Sequence, residues 1–92
     1  MIYFLEVTCF IYNTQSLKDK RSVIKRIVHR IQNDYNVSIS ELAYQELWQK
    51  TMFGIVTVSN TKVQAEKVMD QCLRLIDSFP EIERTITEKQ WL

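Results

Sequence analysis

Glycine, proline, cysteine and histidine are all scarce in this chain of 92 residues, which has one glycine, one proline, two cysteines and one histidine. A loop that cradles phosphate through its backbone is typically rich in glycine, so the sequence excludes this class of site. A metal site needs several His, Cys or carboxylate side chains that converge, and no such spacing is present. The sequence therefore predicts no cofactor and no metal.

Long apolar segments are also absent. The first uncharged stretch runs only from Met1 to Leu5, which is too short for the core of a signal peptide. No stretch approaches the roughly 20 apolar residues of a membrane-spanning helix. We therefore expect a soluble, cytoplasmic protein with no membrane partner. Cys9 and Cys72 lack CxxC spacing and are typical of small buried side chains in a reducing compartment, with a disulfide between them as the alternative.

What the chain does contain is clear hydrophobic periodicity. Alternating or β-prone runs predict strands at residues 2–11, 37–45, 50–59 and 82–91, and the alternation of the second run slips near Glu41, which favours a bulge. Helical periodicity predicts one helix from Ser16 to about residue 35 and another that is capped by Asn60 or Thr61 and ends before Pro80. Ser16 with Asp19, and Thr61 with Gln64, have the spacing of capping boxes.

The predicted order is β-α-β-β-α-β, which is the ferredoxin-like arrangement of the α+β class. We expect residues 1–92 to form a single domain with a four-stranded antiparallel sheet and both helices on one face. The opposite face then has no helix to cover it. Phe4 and Phe10, with Trp91, are expected there, and exposed apolar patches of this kind usually mark a partner surface or a dimer interface.

Positive charge is concentrated in the first predicted helix. Between Leu17 and Tyr35 there are six basic and two acidic residues, so this segment carries +4 and the rest of the chain −3, for a net charge of +1. The amphipathic pattern places Leu17, Ile24, Ile27, Val28, Ile31 and Tyr35 on one face and basic side chains beside it. The six basic residues, which we predict as phosphate ligands of a nucleic acid, are Lys18, Lys20, Arg21, Lys25, Arg26 and Arg30. The alternative is a solvated helix face with no ligand.

Several segments resemble one known family in order and separation. They are Ser16-Leu17-Lys18-Asp19-Lys20-Arg21, Asn36-Val37-Ser38, Tyr44-Gln45-Glu46-Leu47-Trp48-Gln49 and Val58-Ser59-Asn60. These segments are similar to the YlxP-like family of bacterial proteins, a family of unknown function (family 503), over essentially the whole chain. One departure is Tyr44, where many relatives are expected to have His.

The resemblance implies a ferredoxin-like fold and no established activity. Genes of the family often lie beside genes for ribosome maturation and translation initiation, which is an association only. It makes a ribosomal component or another RNA a candidate partner.

No pattern in the sequence favours an enzyme. His29 is expected on a wet helix face without a nucleophile beside it, and Gly54 lies inside a predicted strand. Acylphosphatases share the strand order, but their glycine-rich anion loop is absent here. Phe53-Gly54-Ile55-Val56-Thr57-Val58 resembles the third strand of RNA-recognition domains, yet Ile55 and Val58 replace the stacking aromatic rings, so that kind of domain is not expected.

The predicted turn between the second and third strands has two interpretations. Gln45, Trp48 and Gln49 either form an exposed contact patch, as Trp does at many binding sites, or hold the turn together through packing and hydrogen bonds from the glutamines. The sequence favours the second interpretation, because a turn without glycine needs support from side chains.

Two functional hypotheses follow. The first is a non-enzymatic RNA- or ribosome-associated accessory protein that uses its basic helix. The second is a protein-interaction module that forms a homodimer through the uncovered sheet face or an edge strand.

Overall fold

Four strands and two helices alternate in the predicted order in a computed structural model that describes all 92 residues. Their bounds are β1 Ile2–Ile11, α1 Leu17–Asp34, β2 Ser38–Ala43, β3 Lys50–Val58, α2 Lys62–Asp77 and β4 Ile82–Trp91. The strands form one antiparallel sheet in the order β2-β3-β1-β4. The predicted ferredoxin-like α+β fold is confirmed. Neither helix is long and apolar enough to cross a membrane.

The core lies between the sheet and the two helices. The five alternating apolar residues of β1 are all buried, as the sequence predicts, and they share one cluster with residues of β3 and of both helices. Because side chains alternate across a strand, these β1 residues define one face of the sheet. Both helices therefore cover that same face. The buried members of β1 are Tyr3, Leu5, Val7, Cys9 and Ile11.

Both helices begin at the residues predicted as caps. The Asp19 backbone N–H donates to Ser16 Oγ at 3.0 Å, and the Gln64 backbone N–H donates to Thr61 Oγ1 at 3.2 Å. Each bond satisfies an amide that has no partner inside the helix. The caps fix where α1 starts and hence which of its side chains face the sheet.

The buried face of α1 is rotated relative to the predicted one. The fully buried positions are Lys20, Val23, Ile27 and Ile31, whereas Ile24 and Val28 are half-buried. These four follow the i, i+3, i+7, i+11 spacing of one helix stripe. Most of the predicted apolar residues of α1 do pack in or against the core, but the prediction omitted Val23 and treated Lys20 as a surface residue.

Both outer strands of the sheet are irregular. The β2–β3 register shifts between Glu41 and Ala43, which confirms the predicted bulge, and the β1–β4 register shifts between Thr8 and Cys9. Gly54 of β3 lies beside the first bulge. A Cβ atom at this position would overlap Leu42 Cδ1 and lie 2.9 Å from Leu42 Cγ, so glycine lets the Leu42 side chain lie against the strand.

Candidate nucleic-acid interface on the first helix

Lys20 does not belong to the exposed basic face. Its side chain is 1% exposed, its Nζ lies 3.1 Å from Glu41 Oε2, and it donates to the Tyr44 carbonyl. Its charge is therefore matched inside the protein and cannot reach a phosphate in solvent. The prediction of Lys20 as a phosphate ligand is corrected: it is a structural residue at the junction of α1 and β2.

Arg26 and Arg30 are exposed but paired. Arg26 donates to Glu81 Oε2, in the connection between α2 and β4, and this hydrogen bond is the main reason why the pKa of Glu81 lies below its usual value. Arg30 Nε lies 3.6 Å from Asp34 Oδ2, one turn further along α1. A carboxylate thus accompanies each of these two guanidinium groups, which lowers the local positive potential.

The remaining three predicted cations stay free. Lys18, Arg21 and Lys25 are exposed, and none of them forms an ion pair. Their spacing of three and then four residues puts them on one side of the helix. The structure therefore divides the six predicted residues into one buried, two paired and three unpaired cations, and the unpaired ones are neighbours.

A groove runs beside the free cations, between α1 and β2. Its volume is about 500 Å³. Arg21 and Lys25 line it from the helix, half-buried Ile24 and Val28 form an apolar floor, and Gln45 lines it from the β2–β3 turn. The Lys20 and Glu41 side chains complete the lining. This groove was not predictable from the sequence, because it depends on how the helix and an edge strand pack against each other.

The turn between β2 and β3 is fixed mainly by backbone groups. The Leu47 N–H donates to the Tyr44 carbonyl at 3.0 Å, and the Ile11 N–H donates to the Gln49 carbonyl at 2.9 Å. Thr14 Oγ1 donates to the Trp48 carbonyl at 2.6 Å. The loop after β1 and the β2–β3 turn therefore converge at one end of the sheet.

The predicted roles of the turn side chains are only partly met. Neither the Gln45 nor the Gln49 side chain makes a hydrogen bond within the protein, so the expected glutamine support for the turn is absent. The Trp48 side chain is 50% exposed. Tyr44 takes the left-handed conformation at φ 67°, and its carbonyl is bound by both Lys20 and Leu47. These hydrogen bonds offset the backbone strain of a non-glycine residue in the left-handed conformation.

The sheet face opposite the helices carries the other predicted surface. Phe4 and Phe10 lie on it and are half-buried, and Ile86 of β4 is 56% exposed beside them. Neighbouring strands add further apolar side chains to this face, namely Leu42, Met52 and Val56. No helix covers it.

Trp91 does not belong to this open face. Its ring stacks on Tyr3 with centroids 4.0 Å apart, and Tyr3 belongs to the core on the helix side of the sheet. Lys62 of α2 lies over the same Trp91 ring. The expectation for Trp91 was therefore wrong, because the β1–β4 register pairs it with Tyr3.

Reactive groups are dispersed or shielded. No three His, Cys, Asp or Glu side chains come together in a way that would hold a metal ion. Cys9 and Cys72 are buried and unbridged, and burial raises their pKa values to about 12 and about 11. The His29 side chain makes one hydrogen bond, of 3.0 Å, to the Asn33 side chain.

Comparison with known proteins identifies the family. The family model described as "Protein of unknown function (DUF503)" matches residues 2–89. The chain belongs to the DUF503 family. A relative described as "Uncharacterized protein YlxP", from Bacillus subtilis (strain 168), is 58% identical over 91 residues, which is 99% of each chain. The predicted family resemblance is confirmed, and DUF503 carries no assigned activity.

Solved structures support the fold of this DUF503 protein. A structural-genomics protein named YJCS is similar with a TM-score of 0.64 and 9% identity, over 100% of this chain and 99% of the other. A designed protein, Foldit4, is similar with a TM-score of 0.61 and 16% identity, again over 100% and 99%. At these identities the similarity concerns the arrangement of the backbone only.

Proposed function

We propose that this chain is a non-enzymatic, cytoplasmic accessory protein that binds RNA, in a ribosomal particle or free, through Lys18, Arg21 and Lys25. The observation that carries the proposal is the presence of three adjacent exposed cations without carboxylate partners on a helix whose other cations are all paired. Cations held this way contact phosphates independently of sequence and release counterions from the nucleic acid.

A titration of fluorescently labelled structured RNA at two salt concentrations tests this proposal. Three phosphate contacts predict an affinity that falls by roughly 20- to 40-fold between 50 and 200 mM salt. The triple variant K18E/R21E/K25E should lose binding at the lower salt concentration. Absence of binding by the natural chain at low salt, or binding that the triple variant keeps, contradicts the proposal.

A matched control separates a local effect from a change in total charge. Lys67, Arg74 and Lys89 are exposed, unpaired and lie on α2 and β4. The variant K67E/R74E/K89E changes the net charge by the same amount as the test variant. We expect it to weaken binding far less, because the protein still offers the three cations of α1.

The second candidate function is self-association through the open sheet face. It is favoured by the apolar side chains that lie there without a helix over them, among them Phe4, Val56 and Ile86. Burying such a face against a second copy removes apolar surface from water. Light scattering and sedimentation should then show a dimer whose fraction rises with concentration.

Two single substitutions test this second candidate. Ile86→Lys places a charge on the open face and should shift the protein toward the monomer. Val63→Lys is the control, because Val63 is 76% exposed on α2, away from that face. A natural chain that is strictly monomeric at high concentration contradicts self-association and leaves the RNA proposal unaffected.

A further inference from the structure

The groove between α1 and β2 combines three chemically different walls. Arg21 and Lys25 supply two unpaired positive charges, Ile24 and Val28 supply an apolar floor, and Gln45 supplies an amide. A volume of about 500 Å³ lies within the range of small-ligand sites. A ligand that matches all three walls has an anionic group, an apolar part and a hydrogen-bonding group.

A nucleotide unit has these three features in one molecule. Its phosphate is complementary to the guanidinium and ammonium groups at the rim. The face of its base can cover the Ile24 and Val28 side chains and so remove apolar surface from water, without the ring stacking that an aromatic platform would add. The edge of an unpaired base offers donors and acceptors to an amide. An amide such as Gln45 can both donate and accept, and it has no hydrogen bond within the protein.

The buried ion pair in the lining attracts no anion. Lys20 contributes no net attraction, because Glu41 lies 3.1 Å from its ammonium group. Attraction for phosphate therefore comes from the exposed Arg21 and Lys25, while the half-buried Ile24 and Val28 favour an uncharged group. A nucleotide would match this division with its phosphate at the two cations and its base at the two apolar side chains.

We propose that this groove holds one unpaired nucleotide of single-stranded RNA, with the phosphate at Arg21 and Lys25 and the base against Ile24, Val28 and Gln45. This inference rests on the proposed RNA binding and adds a preference that phosphate contacts alone do not give. The bases of a duplex are stacked and paired, so their faces are not available to the groove. A single strand, loop or bulge presents them.

Anisotropy titrations at low salt with two labelled RNAs test the preference. One is an unstructured 12-nucleotide strand, and the other is a blunt-ended duplex that has no unpaired nucleotide. We expect the single strand to bind more tightly than the duplex. Equal affinity for both, with continued loss of binding in K18E/R21E/K25E, overturns the groove inference but keeps the proposed function. Absence of binding to either RNA overturns both.

A pair of glutamines supplies the matched variants. Gln45 lines the groove, whereas Gln49 is an exposed glutamine of the same turn that does not. Gln45→Ala should weaken single-strand binding about three- to ten-fold, the effect of losing one or two neutral hydrogen bonds. Gln49→Ala should leave it unchanged. Equal effects of the two substitutions overturn the inference.

NMR spectra of the isotope-labelled natural chain provide a test that needs no variant. Addition of the single strand should shift the methyl signals of Ile24 and Val28, while the blunt-ended duplex should leave them in place. Uridine monophosphate is a second probe: tight binding of the free nucleotide, strong enough to displace the strand, would assign the groove to a small molecule instead. Displacement by a glutamate-rich peptide at the same concentration would overturn the assignment to RNA.

Discussion

The ammonium group of Lys20 lies 3.1 Å from Glu41 Oε2, inside the protein and at the point where α1 meets the edge strand β2. The same Glu41 oxygen accepts a hydrogen bond of 2.6 Å from Thr51 Oγ1 in β3, and Lys20 also donates to the Tyr44 carbonyl. Three elements and one turn are thus joined by a small polar network. This network sets the distance between the two walls of the proposed RNA groove.

Removing the acid from this pair should destabilise the protein. Glu41→Gln leaves the Lys20 ammonium buried without a counter-charge, and the expected loss is about 3 kcal/mol of unfolding free energy, at the lower end for buried pairs. Denaturant unfolding measures it. Glu46→Gln is the control, because Glu46 is an exposed acid of the adjoining turn with no ion pair. A loss no larger in Glu41→Gln than in Glu46→Gln would mean that the pair contributes little.

A methyl group on Gly54 should displace Leu42. Gly54→Ala brings a Cβ into overlap with the Leu42 side chain, and we expect a loss of about 1 kcal/mol, because Leu42 is half-exposed and has room to turn outward. The melting temperature reports the change. In the double variant G54A/L42A the clash is gone. Leu42→Ala should therefore lower the stability less in the Gly54→Ala background than it does in the natural chain. Simple additivity would contradict this account.

The ion pair of Glu81 and Arg26 predicts a dependence of stability on pH. The bond from Arg26 holds the pKa of Glu81 lower in the folded chain than in the unfolded chain, where it is about 4.3. The stabilisation is therefore present above the unfolded-state value and is lost as the pH falls through the folded-state value. Arg26→Gln should reduce the urea midpoint at pH 7 and have less effect near pH 2. An effect that grows on acidification would contradict the assignment.

The paired and unpaired arginines and lysines of α1 should differ in RNA binding. R21Q/K25Q removes two free cations, whereas R26Q/R30Q removes the same charge from residues that are matched by Glu81 and Asp34. The first double variant should weaken binding more and reduce the salt dependence by about two phosphate contacts. Equal loss in both would indicate a diffuse electrostatic effect of the whole helix.

Both thiols should be unreactive in the folded protein. Burial raises the pKa of Cys9 to about 12 and that of Cys72 to about 11, so little thiolate forms at pH 8. Ellman's reagent should label neither cysteine in native protein and both after denaturation. Rapid labelling before unfolding would show that one thiol is accessible, and absence of labelling after unfolding would show a disulfide.

The strands, helix caps and bulge were predictable because each depends on neighbours in sequence. Alternation located β1. The Ser16 and Thr61 caps were predictable because each side chain accepts a hydrogen bond from the backbone N–H only three residues further along the chain. The bulge near Glu41 appeared as a change in the parity of the apolar residues. Local physics determines all of these features.

Which cations of α1 are buried, paired or free was not predictable in the same way. A lysine within the apolar stripe at positions 20, 23, 27 and 31 was the one available sign that Lys20 is buried. The partners of Arg26 and Lys20 are distant in sequence, at Glu81 and Glu41, and only the folded chain brings them together. The groove likewise requires the packing of α1 on β2. Charge patterning therefore located the cations of α1 but not which of them are buried or paired.

The irregular edge strands also bear on how two copies of this protein can associate. Both edge strands of the sheet, β2 and β4, have a break in register, and β4 carries several charged side chains along its length. A straight, uninterrupted edge strand would offer its backbone N–H and C=O groups to the edge strand of another molecule and allow fibrils to grow. Here the breaks disfavour such lateral extension, so crowding two copies together should favour a closed pair over an open chain of sheets.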